Sequence, residues 1–245
     1  RLTISNHSIH WCDLAQLLSS PERVFLSPEA KKSIKDSHKV LKKILSSGQQ
    51  VYGVNTGFGQ LSTVSIDAAD LKQLQLNLIR SHASGVGKPL DLGVTRITMI
   101  LKLMTWAKGH SGIRPELAKL MVGMLNHDIL PLIPRQGSVG ASGDLAPLSH
   151  MARAMIGEGD VHFQDRIMPA MIALKEANLE PTVLEAKEGL SLINGTQVST
   201  ALAIRALAES KKILETADIA GALSAEASLS TRTVFTPKIH QLKKH

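Results

Sequence analysis

From about Gly195 to Ser230 the chain is an almost unbroken run of helix formers, rich in Ala, Leu, Ile and Glu. A helix of that length cannot bury its apolar positions against itself and needs neighbours in a bundle. Too little sequence follows it to supply them, so the expectation is that partner chains or further sequence cover it. The run also divides the chain. Residues 1–195 are expected to form an N-terminal domain, and residues 196–245 to begin a central helical-bundle domain that is truncated here. Composition supports a mainly α fold: aromatic residues make up only 3% of the 245, and Ala, Leu, Ile and Met carry the apolar content. A sandwich or barrel would draw more on aromatic and β-branched residues.

Local signals fill in the first domain. Ser27-Pro28-Glu29 reads as a cap followed by proline at the first helical position. Leu71, Leu74, Leu78 and Ile79 recur at helical spacing, and further helices are expected over 94–107 and 115–125. The segment 49–70 reads as a short strand and glycine-rich loops, and 157–170 as a hairpin. Lys102 interrupts the apolar run of 97–107, which is far too short to span a bilayer. The net charge of +7 does not point to nucleic acid, because the lysines fall in scattered pairs without aromatic residues between them. The lone cysteine, Cys12, can build neither an intrachain disulfide nor a zinc cluster, which fits a reducing cytoplasm and no metal site.

The stretch PRQGSVGASGDLAPLSH, residues 134–150, breaks the helical pattern with three glycines, three serines and two prolines. One reading is a loop entering a helix, with Ser142 or Asp144 as its N-cap. A nucleophile elbow fails, because the residue two places after Ser142 is Asp144 rather than glycine. A phosphate loop is poorly matched, since no Lys-Ser/Thr pair follows the glycines and the preceding LPLIP is broken by prolines. The remaining reading is backbone cyclisation. The Gly143 nitrogen would attack the Ala141 carbonyl carbon, glycine leaving the approach open, and Ser142 would lose water to leave an exocyclic methylene. The residues permit this without choosing it over the loop.

Four blocks of sequence carry a resemblance: YGVNTGFG at 52–59, RSHASGVG at 80–87, GSVGASGDLAPLSH at 137–150 and EGLSLINGTQ at 188–197. In order and spacing they resemble the histidine ammonia-lyase family, the aromatic amino acid lyases that make a methylidene-imidazolone (MIO) prosthetic group from their own backbone. The likeness runs over essentially all 245 residues, and family members are about twice as long. It implies that Ala141, Ser142 and Gly143 form the electrophile with no external cofactor, and that Tyr52 is the catalytic acid or base. It implies that Ser81 and His82 form the substrate-side-chain selector. The Ser-His pair resembles the histidine-specific members, whereas phenylalanine- and tyrosine-specific relatives carry Phe-Leu or His-Leu there. Asn194 would contact the electrophile and the amino acid end of the substrate. By themselves these residues read as a core tyrosine, a structural histidine at a helix end and an Asn-Gly turn.

The resemblance implies conversion of L-histidine to trans-urocanate and ammonia, the first step of histidine degradation, in a cytoplasmic homotetramer with shared active sites. Neither nucleic acid nor a membrane is an expected partner. Whether the substrate amine or its ring adds to the electrophile stays open. The family's later active-site residues, including an arginine, a second tyrosine and a glutamate, lie beyond residue 245. This chain would then be an inactive N-terminal fragment of such a lyase. A lyase or aminomutase acting on tyrosine or phenylalanine is the other alternative.

Overall fold

Ser27 and Pro28 behave as their chemistry demands: helix α2 runs Pro28–Ser47, and the Ser27 hydroxyl accepts the Ala30 N–H at 3.1 Å. The structure, a computed structural model, describes residues 1–47, 50–51, 53–56 and 71–243. The expected strand and loops of 49–70 therefore lie almost wholly outside the described residues.

Ahead of α2, strands β1 (Leu2–Ile4) and β2 (Val24–Leu26) pair in parallel around α1 (Trp11–Gln16). After it come α3 (Leu71–His82), β3 (Val86–Pro89), α4 (Leu92–Ala107) and α5 (Pro115–Asn126). Asp91 caps α4 by accepting the Gly93 N–H at 2.9 Å, and proline opens α5. Strand β4 (Leu130–Pro131) joins the hairpin β6 (Asp160–Phe163) and β7 (Arg166–Pro169) in an antiparallel sheet. Gln164 and Asp165 both take positive φ, 51° and 57°, so the hairpin closes on two left-handed residues although neither is glycine. Strand β5 (Pro134–Gln136) pairs with β3, and α6 (Leu145–Met155), α7 (Ala170–Glu176) and α8 (Glu188–Ile193) complete the set. The fold is mainly α, as expected.

The core is one cluster that takes in buried residues of α4, α5 and α6. Ile97, Met99, Leu103 and Trp106 pack with Leu117, Met121, Leu148 and Met151, all essentially inaccessible to water. Each such side chain contributes about 1.5–3 kcal/mol by leaving water. This unit spans Arg1–Ile204, and a second unit spans Arg205–His245. The long helix α9 (Gln197–Ala227) matches the run of helix formers. Within the first unit its opening turns bury Val198, Ala201 and Ile204. Within the second, Ile213, Leu214, Ile219 and Leu223 are each more than three-fifths exposed. No helix among the described residues is long and apolar enough to cross a membrane.

Candidate active site

Three helices bring the motif blocks together. Helix α6 packs against α3 and α8, and α3 packs against α8. The first carries the Ala-Ser-Gly loop at its start, the second ends in Ser81-His82, and the third ends at Asn194.

The loop before α6 is shaped by one carboxylate. Asp144 is buried and occupies the N-cap position of α6, but it makes no capping bond there. Its carboxylate turns back instead, accepting the Val139 N–H at 3.0 Å and the Ser138 hydroxyl. The Ser138 oxygen accepts the Gly140 N–H at 3.2 Å. Residues 138–144 thus fold back on a carboxylate while Ala141 and Ser142 stay exposed. Gly143 faces α8: a Cβ at that position would lie 3.0 Å from Asn194 Oδ1. A side chain on residue 143 would press on that amide, which would have to shift by a few tenths of an ångström. A turn with no side chain at 143 is what attack by the Gly143 nitrogen on the Ala141 carbonyl carbon requires, and the residues present fit the MIO group.

The RSHASGVG block is tied to this loop through strands β3 and β5. Val86 pairs with Gln136 and Pro89 with Pro134. Gly137, at φ 138°, packs so closely that a Cβ would lie 2.9 Å from Gly85 Cα. The Gly85 N–H donates to His150 Nε2 on α6 at 3.0 Å, so His150 must be neutral and its proton must sit on Nδ1. Burial pushes the His150 pKa down, and the Arg153 charge adds to that. His82 Nδ1 lies 2.9 Å from the Leu78 carbonyl and 3.0 Å from Ser81 Oγ. A carbonyl can only accept, so Nδ1 carries the proton, and in the neutral ring Nε2 is the acceptor.

Both ends of α8 are held by buried ionisable side chains. At its start Glu188, 1% exposed, accepts Arg114 N and Nε at 3.1 and 2.9 Å, Arg114 Nη2 at 2.7 Å and the Glu185 N–H at 2.9 Å. At its end Lys102 Nζ donates to the carbonyls of Ser191 and Asn194 at 3.3 and 3.1 Å.

A model of the aromatic amino acid lyase family matches residues 9–245. The chain belongs to that family. It is 43% identical over 245 residues to the histidine ammonia-lyase of Myxococcus xanthus, covering all of this chain and 48% of that one. Among solved structures, the histidine ammonia-lyase of Trypanosoma cruzi superposes with TM-score 0.91 at 39% identity, covering 100% of this chain and 48% of the other. A phenylalanine aminomutase from Pantoea agglomerans superposes at 0.94 with 30% identity, covering 100% and 47%. The chain spans about half the length of the curated relatives it matches.

Of the residues singled out by the family's motifs, Gly143 and Asn194 are brought into direct apposition. Ser81 and His82 close α3, and their helix joins the loop through Gly85. Tyr52 lies outside the described residues, but its neighbours are held: Val51 N–H donates to Asn55 Oδ1 at 2.9 Å and Gly53 N–H to Thr56 Oγ1 at 3.3 Å. The motif reading missed the roles of Asp144, His150 and Lys102. Two of these sit inside the Ala-Ser-Gly block, and Lys102 is the charge that interrupts the apolar run of α4. Among the described residues no group of three His, Cys, Asp or Glu is placed to hold a metal.

Proposed function

We propose that this chain is the electrophile-bearing part of a histidine ammonia-lyase, which takes L-histidine to trans-urocanate and ammonia. The apposition of Asn194 Oδ1 to the side-chain-free flank of Gly143 carries the reading. Ala141, Ser142 and Gly143 would form the MIO group, which supplies an electrophile able to hold electrons while the β-proton and amine depart. His82 is the selector. With Nδ1–H committed to the Leu78 carbonyl, Nε2 accepts the N–H of a substrate imidazole, a hydrogen bond that a phenyl ring cannot return. Asn194 orients the amino acid end, and Tyr52 moves the β-proton. Relatives named histidine ammonia-lyase at 43% identity and the Ser81-His82 pair support the substrate.

The reading extends to assembly. The exposed loop over 135–142 and the uncovered apolar residues of α9 suit a homotetramer whose subunits share sites. The lone cysteine suits the cytoplasm. Residues 196–245 would begin the bundle domain. Because the chain spans about half of its relatives, it is expected to be inactive alone.

The mass of tryptic peptide Gln136–Arg153 tests the electrophile. A deficit of two waters is the expected result, in this chain or in a full-length form; the unmodified mass in both would overturn the reading. Urocanate release from L-histidine by the full-length form tests the substrate. The likeness to a phenylalanine aminomutase favours a second reading, and turnover of phenylalanine or tyrosine in place of histidine would select it.

A further inference from the structure

Lys102 is the one lysine placed wholly inside the described core. It has no accessible surface, and its neighbours along α4 are Met99, Leu103 and Trp106. An amine there is costly to bury, and burial alone pushes its pKa down to about 7. Among the described residues no carboxylate compensates it. Its partners are two backbone carbonyls, Ser191 at 3.3 Å and Asn194 at 3.1 Å.

Those carbonyls explain the lysine. The last four carbonyls of a helix have no partner further along it. In α8 the Leu190 carbonyl takes the Asn194 N–H at 2.9 Å, which leaves the end of the helix to be served from outside. Ser191 has two other ties: its carbonyl accepts Trp106 Nε1 at 3.4 Å, and its hydroxyl donates to the Ser111 carbonyl at 2.9 Å. At the Asn194 carbonyl Lys102 is the donor. The same residue's side chain carries the oxygen that faces Gly143. The reach is therefore short: α4 amine, Asn194 backbone, Asn194 amide, Gly143.

We propose that Lys102 is a positioning residue, which holds the Asn194 backbone from α4 so that the Asn194 amide stays against Gly143. The proposal rests on the reading of Asn194 and Gly143 as site residues. The clamp does not depend on charge. An ammonium has three donors and a neutral amine two, and either number serves two carbonyls.

Amide hydrogen exchange on this chain tests it, with wild type, Lys102→Met, Asn194→Ala and the double variant. Met matches the lysine stem and removes its donors. Exchange is expected to rise about tenfold in residues 190–197 and in the loop 138–145 of Lys102→Met, with α5 and the β6–β7 hairpin unchanged. In the Asn194→Ala background the same substitution should add nothing at 138–145, because the link to the loop is already gone. An unmoved loop, an equal rise in the Asn194→Ala background, or a uniform rise over the whole core would overturn the proposal. Lys102→Gln covers the case in which Lys102→Met does not fold. It keeps one donor and is expected to give an intermediate rise at the same two segments, and global unfolding of both variants would make Lys102 merely structural. The mass of Gln136–Arg153 separates this from the function itself. Unmodified wild-type peptide in both this chain and a full-length form would defeat the electrophile reading and leave the exchange coupling standing. Where wild type is modified, Lys102→Met should slow the two-water loss about tenfold.

Discussion

Helices α4 and α9 are built from similar residues and end in opposite surroundings. Both are rich in Leu and Ile, α4 adding Met and Thr and α9 adding Ala and Glu. Twelve of the sixteen positions of α4 are buried, but only four of the thirty-one in α9. The difference lies in what packs on them. The first is wrapped by α2, α5 and β4 within its own unit. The second offers Ile213, Leu214, Ile219 and Leu223 outward. Apolar pattern tells a helix what it needs, not where the covering surface comes from. In the closed region the buried groups Glu188 and Lys102 are answered locally, by Arg114 and by the carbonyls of Ser191 and Asn194. In the open region the cost of exposure is postponed to whatever covers it.

The closed region should break hardest at the start of α8. Arg114→Ala removes the guanidinium partner of a carboxylate that is 1% exposed, leaving Glu188 with only the backbone N–H groups of residues 114 and 185. A loss of about 3–5 kcal/mol is expected, read by urea unfolding. A change below about 1 kcal/mol would mean that water reaches Glu188 and that this region is less closed than its burial implies.

Lys102 sharpens the comparison by pH. Its folded pKa is pushed down to about 7 from 10.5 by burial. Between those values the unfolded chain holds the proton and the folded chain does not, so raising the pH favours the folded state. Wild-type stability should therefore rise from pH 7 towards 10.5 relative to Lys102→Met, and the two should run parallel below 7. Parallel curves throughout would mean that the amine is hydrated. Sequence alone pointed only part of the way to this residue: a lysine in an apolar run at 97–107 reads equally as a helix edge facing solvent. Its burial depends on α8 arriving from ninety residues further on.

Legibility followed the range of the interactions. Ser27, Pro28 and Pro115 act within one turn of their own position, and their helices stand where their chemistry put them. The hairpin of 157–170 was readable because its two strands are adjacent in sequence. The parallel pairing of β1 with β2 was not, since residues twenty-two apart have to meet with a helix between them. Asp144 shows the same limit inside a legible motif. The sequence marks it as a cap, and the fold spends its carboxylate on Ser138 and Val139 to shape the loop. Gly143 and Asn194, fifty-one residues apart, were connected by family resemblance, and their apposition needed α6 and α8 to pack.

The smallest expected effect lies on α9. Leu214 is 66% exposed, so Leu214→Ser should change the stability of this chain by less than about 0.5 kcal/mol. The same truncation at Leu103, fully buried on α4, would cost several times more. If α9 is covered in the assembled protein, the variant should nevertheless weaken assembly, read as a shift to smaller species by light scattering on the full-length form. A stability loss in the isolated chain would show that α9 is already packed within it. No effect on either measurement would show that this face is left to solvent, and the contrast with α4 would then be one of composition tolerated at the surface rather than of cover supplied from outside.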